Sequence, residues 1–129
     1  MQKYKIICIG IDQSYKNTGI SICADGKIKK VSSLFLDKCK CNSEKRLMLK
    51  NRLTEIVARL LPRAEKIVCI IERIRLRSQG FINIDYMKSI GALNSIIIDV
   101  MYKYDVPVYT VLVIDATTGQ NGLSQAKQF

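Results

Sequence analysis

The chain has 129 residues, 48% of them hydrophobic and 25% charged, which suits a single folded domain over residues 1–129 and excludes a disordered tail. Its 21 Lys and Arg outnumber 11 Asp and Glu, for a formal net charge of +10 with no histidine, a balance that points to a polyanionic partner such as nucleic acid. No uninterrupted apolar stretch is long enough to span a bilayer, and Asp12 breaks the amino-terminal apolar run before any small-residue cleavage site, so neither a membrane anchor nor a signal peptide is expected.

The run Ile6-Ile7-Cys8-Ile9-Gly10-Ile11-Asp12 reads as a strand over residues 5–12, apolar on both faces and ending in a carboxylate. A polar turn leads to a second strand over residues 19–24. Asp25-Gly26 is a strong tight-turn pair, so residues 27–36 follow as a third strand in a meander. After a loop at 37–42, Ser43 can cap a helix running to residue 61, with Leu47, Leu49, Leu53, Ile56, Val57 and Leu60 giving the period and Pro62 the stop. Residues 67–72, Ile-Val-Cys-Ile-Ile-Glu, form a fourth strand, again short, β-branched and ending in an acid. Asn83 can cap a second long helix to residue 104, residues 107–113 form a fifth strand, and residues 115–129 read as a weaker polar helix interrupted by Gly119 and Gly122. Three strands in a meander followed by two right-handed crossovers give an α/β fold with a mixed five-stranded sheet flanked by helices.

Cys8, Cys23 and Cys69 lie in apolar runs, while Cys39 and Cys41 form a lone Cys-x-Cys without a histidine to complete a zinc site. Free thiols in a reducing compartment are expected.

The two most apolar strands both end in an acid. If the fourth strand returns parallel to the first and beside it, Asp12 and Glu72 share one sheet edge about 4.8 Å apart, where two carboxylates call for a proton or a cation. Hard oxygen ligands favour magnesium or manganese. The fifth strand would finish at the same edge and bring Asp115 near, which makes three acids suited to metal-assisted phosphodiester hydrolysis. Each acid has a plainer use: Asp12 can begin an Asx-turn, Glu72 can pair with Arg73 or Arg75, and Asp115 is a good helix cap.

Ile9-Gly10-Ile11-Asp12-Gln13-Ser14 with Thr18-Gly19, then Val68-Cys69-Ile70-Ile71-Glu72, resembles the RuvC-type Holliday junction resolvases of the RNase H-like superfamily, in element order over nearly the whole chain. Length and detail are most similar to the small phage-encoded RuvC enzymes of the lactococcal type. The resemblance implies an RNase H-like nuclease domain in which Asp12, Glu72 and an acid of the final helix, here Asp115, hold two magnesium ions (manganese being an alternative). It also implies a structure-specific endonuclease that acts on four-way and other branched DNA in the cytoplasm, the host's if phage-encoded. The chain departs from the family in two places. Thr118 stands where a second acid of the last helix is usual, and the connection from Val113 to Asp115 is shorter than the family's crossover.

Arg73, Arg75 and Arg77 alternate after Glu72, so in extended chain they share one face beside the acid edge, suited to phosphate contacts, with Lys88 a further candidate; a solvated basic strand end is the plainer use. Lys27, Lys29, Lys30, Lys38, Lys40, Lys45 and Arg46 would widen the basic footprint, each individually reading as surface. Phe81 is the nearest aromatic to the family's unstacking wedge, and can equally staple the next helix. Helix 83–104 has a core path of Tyr86, Ile90, Leu93, Ile97 and Met101 and a second face of Met87, Gly91, Ser95 and Ile98. The resemblance makes that second face a homodimer interface, while packing on the chain's own last helix would use the same small residues. Two other readings stand beside the nuclease: a branched-DNA-binding protein of this fold with a metal site weakened at Thr118, and an actin-like ATPase, which needs a second nucleotide-binding half that 129 residues do not supply.

Overall fold

The computed structural model describes residues 3–14, 16–72 and 84–111. Five strands, β1 (Tyr4–Gln13), β2 (Asn17–Ala24), β3 (Lys27–Phe35), β4 (Ala64–Glu72) and β5 (Val108–Val111), form one sheet in the order β3-β2-β1-β4-β5. Helix α1 (Asn42–Leu60) connects β3 to β4, and α2 (Ile84–Lys103) connects β4 to β5. β1–β2 and β2–β3 are antiparallel, whereas β1–β4 and β4–β5 are parallel. This is the mixed sheet the sequence led us to expect.

The meander is set locally. Asp25 and Gly26 both have positive φ, 49° and 82°, as a two-residue type I′ hairpin requires. The Asp25 carboxylate accepts the Ile6 backbone N–H at 3.0 Å, which ties the turn to β1.

Alternation along β1 sends Ile7, Ile9 and Ile11 into the core with Ile20 of β2 and Ile67, Cys69 and Ile71 of β4. Leu49, Leu53 and Val57 of α1 and Leu93, Ile97 and Met101 of α2 belong to the same cluster, so both helices cover one face of the sheet. Each such Leu or Ile removed from water contributes about 1.5–3 kcal/mol. The other face of β1 differs from the fully covered strand expected from its sequence: Ile6 is 40% exposed, Cys8 and Gly10 are half-buried, and Asp12 is exposed.

Helix ends depart from expectation in instructive ways. Cys41, not Ser43, occupies the amino-terminal cap of α1 and makes no side-chain cap bond. Glu44 instead accepts the Lys40 backbone N–H at 2.6 Å, and Ser43 accepts a bond from Arg46 inside the first turn. The buried stripe of α1 is Lys45, Leu49, Leu53, Val57 and Leu60, whereas Leu47 is 57% exposed; Lys45 takes the core-facing register a period of 3.6 demands. The expected cap Asn83 lies outside the described residues. At its other end α2 closes on Asp105 in the left-handed region, φ 57°, with the Val106 N–H donating to the Met101 carbonyl, a Schellman arrangement that Pro107 then terminates. No helix among the described residues is long and apolar enough to cross a membrane, and none of the five cysteines forms a disulfide.

Candidate metal and nucleic-acid site

Parallel pairing of β1 and β4 runs in register from Tyr4↔Ala64 to Ile11↔Ile71. The next residue on each strand is an acid, Asp12 on β1 and Glu72 on β4, so the two stand at neighbouring positions of one sheet edge, with strands about 4.8 Å apart. The carboxyl edge of parallel strands is where α/β folds hold ligands, because side chains from several strands converge there without a helix above them.

Asp12 lies on the face opposite Ile11, away from α1 and α2. Its cross-strand partner on β2 is Gly19, and Gly10 precedes it on the same face beside Ser21. A β-carbon at Gly19 would sit 3.6 Å from that of Asp12, and one at Gly10 would meet the Ser21 hydroxyl at 2.5 Å. The carboxylate therefore has backbone beside it at Gly19, whereas the space over Gly10 is filled by the Ser21 hydroxyl.

The turn after β1 leaves Asp12 unengaged. Ser14 closes it, donating its hydroxyl to the Asn17 carbonyl at 2.7 Å and accepting the Asn17 N–H at 3.1 Å. Thr18, fully buried, donates to the Gln13 amide oxygen at 2.9 Å, and the Gln13 amide nitrogen donates to the Ser14 carbonyl at 2.7 Å. The Asp12 carboxylate takes no hydrogen bond or ion pair among the described residues, so the Asx-turn use of this acid is not what the fold makes of it. Gln13, Ser14 and Thr18 brace the acid edge; the sequence motif contained them, but only the cross-strand pairing of Gln13 with Thr18 shows what they do.

The remaining candidates divide between described and undescribed chain. Asp115, Thr118, Arg73, Arg75, Arg77 and Phe81 lie outside the described residues, and of Glu72 the strand position is described. No group of three or more potential metal ligands occurs among the described residues. Lys88 is exposed and lines a cavity between the heads of α1 and α2 together with Lys45 and Arg46. Lys45, expected at the surface, is 8% exposed. Lys29 and Lys38 lie over the rings of Tyr4 and Phe35 at 5.7 and 5.8 Å, where a cation–π contact accounts for them.

No protein-family model matches the chain, and no curated protein matches it. Solved structures do. RuvC of Thermus thermophilus in complex with a Holliday junction substrate superposes with a TM-score of 0.64 at 15% identity, over 82% of this chain and 64% of that one. The fold is RNase H-like. A second structure of Thermus thermophilus RuvC gives 0.62 at 15% identity, over 81% of this chain and 63% of that one, and the yeast mitochondrial Holliday junction resolvase Ydc2 gives 0.55 at 19% identity, over 87% of this chain and 52% of that one. The chain thus spans under two thirds of the length of these resolvases. At such identities the likeness is one of fold, shared with RuvC.

Proposed function

We propose that this protein is a divalent-metal-dependent endonuclease that cuts four-way DNA junctions, and other branched DNA, as a homodimer. The observation that carries this reading is the placement of Asp12 and Glu72 at neighbouring positions of one parallel-strand edge, with Asp12 unengaged beside bare backbone, in a fold shared with RuvC.

The donor set fits a hard cation. Asp12 offers carboxylate oxygens with no competing partner among the described residues, Glu72 is its neighbour, and Asp115 is the third proposed ligand; such oxygens suit magnesium or manganese rather than zinc. When bound, the metal supplies charge stabilisation at the scissile phosphate and an ionised water. The chain's own part is to hold the Asp12 oxygens through the Gln13–Thr18 brace and to leave backbone at Gly19 where a phosphate can approach closely. Arg73, Arg75, Arg77 and Lys88 are proposed to bind flanking phosphates, reading DNA by shape and charge. For the dimer, the support is α2: among the described residues a β-carbon at Gly91 would meet nothing within 4 Å and Ile98 is 44% exposed, a face suited to a second copy. Five unbridged cysteines suit a reducing cytoplasm.

Asp12→Asn removes the charge while keeping the shape. Cleavage of a labelled junction in magnesium or manganese is expected to vanish while junction binding persists. Full-rate cleavage by the pure variant would overturn the assignment. Junction binding by the unaltered protein without cleavage in either metal would leave the binding-protein reading instead, as Thr118 in place of a second acid favours.

A further inference from the structure

Cys39 and Cys41 sit where the chain passes from β3 into α1, and the fold brings them a third sulfur. The Cys39 thiol meets the Met48 thioether at 3.8 Å, a contact across nine residues. The chain bends through residues 39–41, and Cys41 takes the amino-terminal cap of α1 without using its side chain there. Partial burial, then the Glu44 carboxylate and the Cys41 sulfur, raise the pKa of the Cys39 thiol, which puts Cys41 within electrostatic reach of Cys39. Met48 lies two helical turns beyond Cys41 on the same side of α1. Long side chains of a helix lean towards its amino terminus, so Met48 reaches back towards the bend.

Three sulfurs without a histidine select a soft ion. Sulfurs bound to one metal at about 2.3 Å each, and about 110–120° apart, stand about 3.8–4.0 Å from each other. The 3.8 Å between Cys39 and Met48 meets that spacing without rearrangement. Structural zinc takes four ligands, and the carboxylate beside these sulfurs, Glu44, accepts the Lys40 N–H at 2.6 Å. No group of three Cys, His, Asp or Glu among the described residues could hold a metal. Magnesium and manganese take oxygen ligands, whereas thiolate and thioether together favour Cu(I).

We propose that Cys39, Cys41 and Met48 form a binding site for one Cu(I) ion, which clips the chain between β3 and α1 onto the first two turns of the helix. Two thiols give up their protons to the solvent as the ion binds, and the loaded site carries one net negative charge. The Leu36 and Asp37 N–H groups already donate to the Lys16 carbonyl at 2.9 and 3.0 Å, tying the start of this connection to the turn after β1. Copper therefore fastens the head of α1 to the end of the sheet where Asp12 stands. The ligands are distinct from the acid pair, and the site stands whether or not the protein cuts DNA.

The test is an anaerobic titration of the reduced full chain with Cu(I) against a chromophoric Cu(I) chelator, with X-ray absorption at the copper edge on the loaded protein. One ion per chain with only sulfur neighbours, at about 2.2–2.3 Å, is expected. Met48→Leu nearly conserves side-chain volume and should weaken Cu(I) binding roughly tenfold or more, since even outer-shell changes cost about 10–100-fold in metal affinity. Cys39→Ser/Cys41→Ser should hold no ion against the chelator. The control is Cys8→Ala/Cys23→Ala, which removes two thiols that face each other across β1 and β2 and should leave copper binding unchanged. Copper should also raise the Tm of the unaltered chain and of the control, and leave that of Cys39→Ser/Cys41→Ser where it was. No copper retained by the unaltered chain, or nitrogen or oxygen neighbours in its absorption spectrum, overturns the site, and this readout needs no variant. Copper retained by Cys39→Ser/Cys41→Ser, lost from the control, or held as tightly by Met48→Leu as by the unaltered chain overturns it equally. Displacement of the ion by excess zinc overturns the choice of metal.

Discussion

Thr18→Val tests whether the brace beneath the acid edge matters for folding and catalysis at once. Thr18 is fully buried, and its hydroxyl has one partner, the Gln13 amide oxygen at 2.9 Å. Valine keeps the shape and removes the donor. A neutral hydrogen bond contributes about 1 kcal/mol net, and leaving its half-buried acceptor unmatched adds a few tenths. Unfolding entropy for a chain of this length is about 0.27 kcal/mol/K, so a loss of roughly 1–1.5 kcal/mol lowers Tm by about 4–6 °C. Gln13 adjoins Asp12, and displacement of a catalytic group by about 1 Å can cost some hundredfold in rate. Junction cleavage should therefore fall between tenfold and a hundredfold while junction affinity stays within about twofold. Urea melts and single-turnover cleavage of Thr18→Val, Gln13→Ala and the double variant give a coupling energy near 1 kcal/mol if the two side chains act through each other. Additive stability losses, or an unchanged cleavage rate, would refute the brace.

Gly10→Ala should destabilise by about 1–2 kcal/mol, since the new methyl meets the Ser21 hydroxyl at 2.5 Å and forces an unfavourable rotamer; Ser21→Ala in the same chain should restore most of the loss in a denaturant melt, and a melt unmoved by the second change would deny that contact. Gly91→Leu finds open space among the described residues and exchanges glycine for a better helix former, so the fold should hold or gain up to about 1 kcal/mol while sedimentation shows the proposed dimer lost. A dimer that survives this bulk would place the interface elsewhere. Burial, with the nearby Cys8 thiol second, pushes the Cys69 thiol from 9.0 up to about 12. The native state thus keeps a proton that the unfolded chain releases first, so stability is full below pH 9 and falls between pH 9 and 12, by at most about 1.4 kcal/mol per pH unit. Cys69→Ala should be less stable at pH 8 yet lose less of its stability from pH 9 to 11, and equal slopes for the two proteins would argue against the buried thiol as the source.

Much of this protein was legible in its sequence because the relevant physics is local. Short continuous runs of isoleucine and valine specify strands, Asp25-Gly26 specifies a turn whose φ values suit it, and Leu53, Val57 and Leu60 mark the buried side of α1. Right-handed crossover after the meander then leaves β4 beside β1, so the meeting of Asp12 and Glu72 at one edge followed from strand order alone. The turn at Ser14 and the identity of the α1 cap did not follow. Several side chains there are competent to bond, and backbone geometry selects among them: Ser14 closes the turn that Asp12 could have closed, and Cys41 takes the place where Ser43 looked suited.

Charge was the least legible property. Lys45 reads as surface because lysines usually are, yet it falls on the core stripe of α1, and its neighbour Arg46 shares a cavity with Lys88 only because two helices 42 residues apart in numbering at that point start from the same edge. Hydrophobic period and turn chemistry are written in neighbouring residues, so the amino-acid order alone determined the five strands, the helices α1 and α2, and the neighbouring places of Asp12 and Glu72 at one edge. Which cations share a cavity, and which carboxylate stays unengaged, depends on side chains distant in the chain, and tertiary packing alone decided both.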